Sequence, residues 1–527
     1  MKLVEKFLEN CQRHQDAAMV EVLSTQGTEG VRSYSYAQML QAARQVAAML
    51  PVTPEPTRVG LVMRNSPEWV ATDLGLLLAG HTEIPVPLAF AAEQAWHLLR
   101  NADLCLVDAA GQARLLQWQE QNPAFVLPAL EVIDITALLQ RPQPPEPAAP
   151  VVRDADYICK IIHTSGTTSA PKGVKIRAAG IDALITSLDT RLTPRNYARY
   201  ASVVPLSLLI EQVLGVYMSF FDGGTVVFMP PEVAVLGEAG GSMRGLMPML
   251  PLARPTMLIG PPILIEALLA ACRAVPDASQ AARYQRLFGH SEEVGVGVGG
   301  APIAQAVLQE LMDFGITVLE GYGLSENGSV VSSNAPGNFR LGTVGRPLDH
   351  VEVKIGEDGE LLVRSSSLFA GYAGTDPSSC EVDADNWLHT GDIAAIDADG
   401  FIRIFGRKKH LIITAKGRNV SPEWVESNYK SLDCVEAAVI FGDRLEQLYG
   451  FFVIAPGVDA ANAEAQIRAY GLQHLSEVER VEVIVCVASQ GSVYGNYFTV
   501  TGRPQRDKIW QYLQTLLPTP PAGPAQS

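Results

Sequence analysis

Residues 163–174 read HTSGTTSAPKGV, which crowds the hydroxyls of Thr164, Ser165, Thr167, Thr168 and Ser169 around Gly166 and sets Lys172 close behind. Small residues let the backbone bend until its N–H groups face an anion, and hydroxyls and an ammonium supply further donors. That is the donor set a polyphosphate needs. It is not a Walker loop, because Pro171 stands where the glycine-lysine pair would begin to form and no GK[ST] follows. The same composition also suits a flexible surface turn.

Two further segments carry polar groups in suggestive order. In LEGYGLSE, residues 319–326, Tyr322 sits between two glycines and Glu326 follows. A purine can stack on the phenol ring, and a carboxylate can hold a divalent cation that bridges phosphates. A buried tyrosine and a solvated glutamate fit the same letters. In WLHTGD, residues 387–392, Asp392 comes directly after a glycine, where it can accept from a ribose diol or simply close a turn. Gly295, Gly297 and Gly300 spell GxGxxG, but inside a Val/Gly alternation that runs into Ala301-Pro302. A dinucleotide loop follows its strand and opens a helix, so these glycines read as part of a strand and its turn.

The elements that must position these groups alternate between helix and strand. Ser35 can cap a helix whose apolar residues recur at helical spacing through Leu50, and a β-like run follows at 59–63. Ser66 and Pro67 open an apolar helix that ends near Gly80, and 84–88 reads as another strand. Strand, helix and strand within some 30 residues make a parallel βαβ unit. Buried strands recur at 157–163, 225–229, 256–260 and 316–319, and from 351 the pattern turns to hairpins marked by DG pairs. A small α+β unit begins near 410, with a helix from Pro422 capped by Ser421 and strands at 438–441 and 451–454. The expected fold is α/β, a large N-terminal domain of layered α/β subdomains plus a small β-rich subdomain, with a mobile small α+β C-terminal domain.

Composition excludes several classes. At 527 residues the chain is long enough for about three to four folding units, and 47% apolar residues rule out a mainly disordered chain. Lys and Arg total 40 against 56 Asp and Glu, a net charge of −16 that disfavours bulk binding to nucleic acid or anionic lipid. Seven scattered cysteines without CxxC read as free thiols in a reducing compartment, and the nine histidines form no HExxH. The N-terminal residues alternate charge with apolar side chains and lack an export signal's core. The most apolar stretch, 246–272, is broken by Arg254 and five prolines and is no membrane span. The expectation is a soluble cytoplasmic protein.

Taken in order, HTSGTTSAPKGV, VPLSLLIE, VGGAP, GYGLSE, WLHTGD, GRKKHLIITAKGRNVSPEWVE and TVTGRPQR resemble the motifs of the adenylate-forming superfamily of acyl-CoA synthetases, adenylation domains and luciferases. RNVSPEWVE, together with PLSLLIE at 205–211, is most similar to the fatty acyl-CoA synthetase branch. The resemblance implies an AMP-binding domain over 1–408 with a subdomain seam at 141–150, a lid domain over 409–517, and a disordered tail at 518–527. It implies ATP, Mg²⁺ and coenzyme A. An apolar fatty or aryl acid would attack the α-phosphate of ATP, pyrophosphate would leave, and the thiol of coenzyme A would then displace AMP.

Carried over residue by residue, the resemblance gives Thr164, Ser165, Gly166, Thr167, Thr168 and Lys172 the β- and γ-phosphates, with Thr167 also near the metal. Gly300, Ala301 and Tyr322 would line the adenine pocket, Ser325 and Glu326 would meet the α-phosphate and Mg²⁺, and Asp392 and Arg407 would hold the ribose. Lys409 would be the hinge of the lid, and Glu211 and Leu208 would border the acid. Arg407, Lys408, Lys409 and His410, with Lys416 and Arg418, form a basic edge that suits either the phosphates of coenzyme A or plain solvent. Three positions depart from the family. Ser169 replaces a usual glycine, Leu208 a common histidine, and Arg503 the lysine that reaches the carboxylate and α-phosphate; Lys508 lies five residues on. The motifs do not separate coenzyme A from an acyl carrier protein as acceptor. Arg503 and Leu208 also keep open a nucleotide-binding homologue with weak adenylation.

Overall fold

The computed structural model describes residues 1–122, 124–126, 128–142, 150–164, 172–193, 195–374, 381–489, 496–498 and 504–516. Two mostly parallel sheets make up its bulk. One runs parallel through Ala18–Ser24, Thr225–Phe228, Arg199–Ser202, Met257–Gly260, Gly295–Val298 and Val318–Tyr322, with antiparallel strands at both edges. The other runs parallel through Ala129–Val132, Leu104–Val107, Arg58–Val62, Thr82–Pro85 and Ile158–Thr164, and ends on the antiparallel strand Lys172–Arg177. Parallel strands need covering on both faces, which is why helices alternate with them along the chain.

The local signals act as the sequence suggests. Ser35 forms a capping box with Gln38 on the helix Tyr36–Met49. Ser66 Oγ accepts from Trp69 N at the start of the helix Pro67–Ala79, and Gly80 at φ +66° ends it. A Cβ on Gly75 would come within 2.8 Å of Ala43 O and Val46 Cβ, so glycine is what lets these two helices approach. Asp73 on the second helix receives Lys160 Nζ at 2.5 Å and Tyr217 Oη at 2.7 Å, and Lys160 also pairs with Glu83. This fully buried ionic group ties helix to sheet.

Some strand limits differ from expectation, for identifiable reasons. The run expected at 84–88 is a strand over Thr82–Pro85; Val86 N still bonds Leu61 O at 2.9 Å, and Pro87 then has no N–H to continue the ladder. The one expected at 316–319 is Val318–Tyr322, because Ile316 N instead bonds Leu311 O and Gly315 turns at φ +87° to end the preceding helix. The alternating glycines 295–298 are a strand in the middle of the sheet.

Val351–Ile355, Glu360–Ser365, Leu388–Ile396 and Ile402–Arg407 form an antiparallel sheet of successive hairpins, with Gly359 and Gly400 at positive φ in the DG turns. Beyond it lie a three-stranded sheet of Val435–Phe441, Leu448–Ile454 and Val481–Ala488 and the helices Pro422–Tyr429, Ala460–His474 and Arg506–Leu516. Their buried apolar residues, among them Val425, Ile440, Phe452 and Ile467 in one cluster and Val439, Phe451 and Ile509 in another, form cores that include no residue before Ile412. Most of the expected seam, 143–149, and the expected disordered tail lie outside the described residues. Among the described residues no helix is long and apolar enough to cross a membrane.

Candidate active site

Lys172 stands directly after the serine- and threonine-rich loop, paired across the strands with Thr164, while His163 faces Gly173. Ser165, Gly166, Thr167, Thr168 and Ser169 lie outside the described residues, as does the side chain of Thr164. A Cβ on Gly173 would come within 2.8 Å of His163 Nε2, so the imidazole lies against bare backbone. Burial pushes the pKa of His163 down to about 4, with the nearby His97 acting the same way.

The strand of Lys172 is stitched to the segment 369–373 by Ala373 N to Gly173 O (2.7 Å), Lys175 N to Gly371 O (3.1 Å) and Ala370 N to Lys175 O (2.8 Å). That puts Lys172 Nζ 4.8 Å from the centre of the Tyr372 ring, a cation–π distance. Tyr372 Oη donates to Glu326 Oε1 at 2.9 Å, and Phe369 N bonds the carbonyl of Glu326 at 2.8 Å. Lys172 and Glu326 therefore flank one tyrosine. Nothing in the sequence pattern singled out Tyr372; its position after Phe369-Ala370-Gly371 carries no spacing signal.

The nucleoside candidates lie around Tyr322, four residues before Glu326. Gly295–Val298 lies parallel to Val318–Tyr322, and beyond it Gly299, Gly300 at φ +82° and Ala301 turn away beside Gly321, whose carbonyl would be 3.4 Å from a Cβ on Gly299. Tyr322 Oη donates to Asp392 Oδ2 at 2.5 Å, and Arg407 Nε stands 3.0 Å from Asp392 Oδ1. Arg407 also donates from Nη1 to Thr390 O at 2.9 Å. Burial raises the carboxyl pKa of Asp392 against the opposing pull of Arg407 and the Tyr322 hydroxyl. Burial, and then the charge of Asp392, hold the Tyr322 phenol well above its ordinary pKa. The triad is set up to present an oriented, partly desolvated carboxylate.

Only Gly323, Leu324 and Ser325 separate Tyr322 from Glu326. Ser325–Asn327 is a single tight turn, and a Cβ on Gly323 would overlap Ser329 O at 1.6 Å, so the chain reverses there only with glycine. The Lys172–Tyr372–Glu326 group and the Tyr322–Asp392–Arg407 group are thus linked through the short run 322–326. Among the described residues no three His, Cys, Asp or Glu side chains cluster to hold a metal. Within this group the Glu326 carboxylate is the described donor that suits a Mg²⁺ ion.

The two residues expected beside the acid part company. Leu208, the N-cap of the short helix Leu209–Glu211, is 44% exposed. Glu211 is sealed in the core, where it accepts from Tyr200 Oη at 2.8 Å and Ser202 Oγ at 2.6 Å. Burial raises its pKa to about 8 despite these donors. A π-helical turn, Gln212–Tyr217, follows at once, a device found often near functional sites.

After the strand Ile402–Arg407, Lys408 binds Asp358 and, at 3.1 Å, Glu360, while His410 Nδ1 lies 2.6 Å from Glu423 Oε1. These two members of the basic edge are thereby engaged, and Lys409, Lys416 and Arg418 stay exposed. Arg503 lies outside the described residues; Lys508 is exposed on the helix Arg506–Leu516.

The chain is similar in sequence and in fold to several known proteins. The family model described as AMP-binding enzyme matches residues 7–373. A long-chain-fatty-acid–CoA ligase of Mycobacterium bovis, FadD15, is 27% identical over 455 residues, covering 76% of this chain and 73% of the relative. The Drosophila melanogaster long-chain-fatty-acid–CoA ligase heimdall is 27% identical over 521 residues, with 84% and 75% covered. Among solved structures, an anthranilate CoA ligase, AuaEII, in complex with anthranoyl-AMP superposes with a TM-score of 0.80 at 21% identity over 98% of each chain. A benzoate CoA ligase from Burkholderia xenovorans LB400 gives 0.77 at 19% identity, covering 96% of this chain and 99% of that one.

Proposed function

This chain belongs to the AMP-binding enzyme family, and from that premise we propose that it activates an apolar carboxylic acid, fatty or aryl, with ATP and passes the acyl group to the thiol of coenzyme A. A carboxylate oxygen attacks the α-phosphorus, the bond to the β-phosphate bridging oxygen breaks, and pyrophosphate leaves. The thiol sulfur then attacks the acyl carbonyl, loses its proton, and expels AMP.

The observation that carries this reading is the continuity of Lys172, Tyr372 and Glu326 with Tyr322, Asp392 and Arg407. In it Asp392 accepts from the ribose hydroxyls, with Arg407 and Tyr322 fixing its orientation. Lys172 offsets charge on the β- and γ-phosphates, where a dry site makes each such contact count more than in water. Ser325 contributes a hydroxyl toward the α-phosphate. A bound Mg²⁺ would be held by Glu326, together with Thr167 from the loop, and would neutralise charge on the phosphate oxygens. Gly300 and Ala301 give the adenine a close, side-chain-poor wall.

The separate cores before and after Ile412 support a body over 1–408 and a lid over 409–517 that turns about Lys409. One lid serving two half-reactions explains how Arg503 can approach for adenylation and then give way to the thiol. Exposed Leu208 favours an apolar acid. Incubation with ATP, Mg²⁺, coenzyme A and a panel of fatty, aryl and amino acids tests the reading. AMP, pyrophosphate and acyl-CoA should form in equal amounts with fatty or aryl acids. The same panel with a phosphopantetheinylated carrier protein in place of coenzyme A identifies the acceptor.

A further inference from the structure

Glu360 is 4% exposed, rare for a carboxylate, and both of its oxygens are engaged. Oε1 accepts the Gly391 N–H at 2.7 Å. Oε2 accepts from Lys408 Nζ at 3.1 Å, with His389 Nδ1 at 3.4 Å. Gly391 directly precedes Asp392 and turns at φ +70°, so its bond to Glu360 fixes the turn from which Asp392 reaches Tyr322 and Arg407. Lys408 directly precedes Lys409 and also binds Asp358, in the hairpin turn that leads into Glu360.

We propose that Glu360 is a positioning residue that ties the Asp392 turn to Lys408, so that the lid's rotation begins at Lys409 and spares Arg407. The proposal rests on the reading above that Lys409 is the hinge. Arg407 spends its guanidinium on Asp392 and the Thr390 carbonyl. If backbone torsions before Lys409 absorbed part of a large lid rotation, those bonds would shear and the nucleoside site would open with every half-reaction. Holding the side chain of Lys408 against the body blocks that. The pairing of Lys408 with Asp358 alone, both half-exposed, would be a weak restraint. Glu360 differs because it is buried and hydrogen-bonded on both oxygens, where breaking one contact leaves a charge without its partner.

Hydrogen–deuterium exchange of the full-length protein, read by mass spectrometry over 388–396 and 402–412, tests this together with the two half-reactions assayed separately. Lys408→Met alters a half-exposed side chain and leaves the Gly391 bond intact. It should speed exchange at 405–410 by about tenfold, the size of one charge-assisted bond, while 388–392 stays protected. Glu360→Ala should release both stretches, and Glu360→Gln, which still accepts from Gly391, should behave like Lys408→Met. In the active enzyme both milder variants should slow acyl transfer from preformed acyl-adenylate more than they slow adenylation, and the double variant should be no worse than either single one. Unchanged exchange in Lys408→Met and Glu360→Gln, or additive effects in the double variant, would overturn the proposal. Failure of the wild-type protein to form any acyl-adenylate would instead count against the functional reading, and the exchange measurement would still decide whether Glu360 makes the tie.

Discussion

Tyr322 donates its hydroxyl to Asp392 at 2.5 Å although 70 residues of chain separate them, and Arg407 closes on the other carboxylate oxygen at 3.0 Å. The contact joins the end of a parallel strand in the large sheet to the antiparallel sheet that follows it. A carboxylate held this way offers its remaining lone pairs in fixed directions, which is what recognition of a vicinal diol requires.

Asp392→Asn keeps the shape but loses the charge that both partners bind. Bonds to charged groups contribute about 1.5–3 kcal/mol, so KM for ATP should rise about ten- to a hundredfold, with little change in KM for the acid. Tyr322→Phe removes one orienting bond and should cost about two- to tenfold by the same reasoning. Steady-state kinetics with ATP varied at saturating acid measure both.

Tyr372 touches both Lys172, through its ring, and Glu326, through its hydroxyl, the two residues proposed to face the phosphates and their metal. Tyr372→Phe keeps the first contact and drops the second. The rate of adenylate formation should fall about two- to tenfold, and the Mg²⁺ concentration giving half-maximal rate should rise. Tyr372→Leu should be worse because the cation–π contact goes too.

These residues were unequally legible in the sequence. The loop before Lys172, the GYGLSE run and the WLHTGD turn stand out because a bent backbone needs small residues in a fixed local order. Helix limits followed from caps such as Ser35 and Ser66 and from glycine stops. Tyr372 and Glu360 left no comparable trace, since the partners named above lie 46 or more and 29 or more residues away and only sheet pairing brings them together. The place of Glu211 was hidden for a similar reason. Its neighbours Tyr200 and Ser202 are near in sequence, but the burial that seals all three comes from strands and helices elsewhere in the chain.

Glu211 also makes stability depend on pH. Burial raises its pKa from the ordinary carboxylate range to about 8, so the folded protein holds a proton that the unfolded chain releases near pH 4.5. That contribution is complete below the unfolded value and is lost as pH rises through about 8, because there the unfolded state binds fewer protons. Glu211→Gln removes the titration. Compared with the wild type in denaturant titrations from pH 5 to pH 9, the variant should gain relative stability as pH rises to about 8, at about 1.4 kcal/mol per unit in the steep region, and level off above it.

By the resemblance of its motifs, Arg503 aligns with the lysine that in the family would reach the reacting carboxylate. A guanidinium keeps the charge but spreads it over a broad planar fork, whereas an ammonium is a compact charge on a flexible stem. Arg503→Lys should raise the rate of adenylation. Single-turnover formation of acyl-adenylate checks this, and a loss of rate would mean that the arginine has a role of its own.

The claim that one continuous site binds ATP and joins it to a carboxylic acid is tested most directly by exchange of radiolabelled pyrophosphate into ATP. Exchange should appear only when a fatty or aryl acid is present, require Mg²⁺, and be nearly abolished in Asp392→Ala and Glu326→Ala. Tight ATP binding without acid-dependent exchange in the wild-type protein would contradict it.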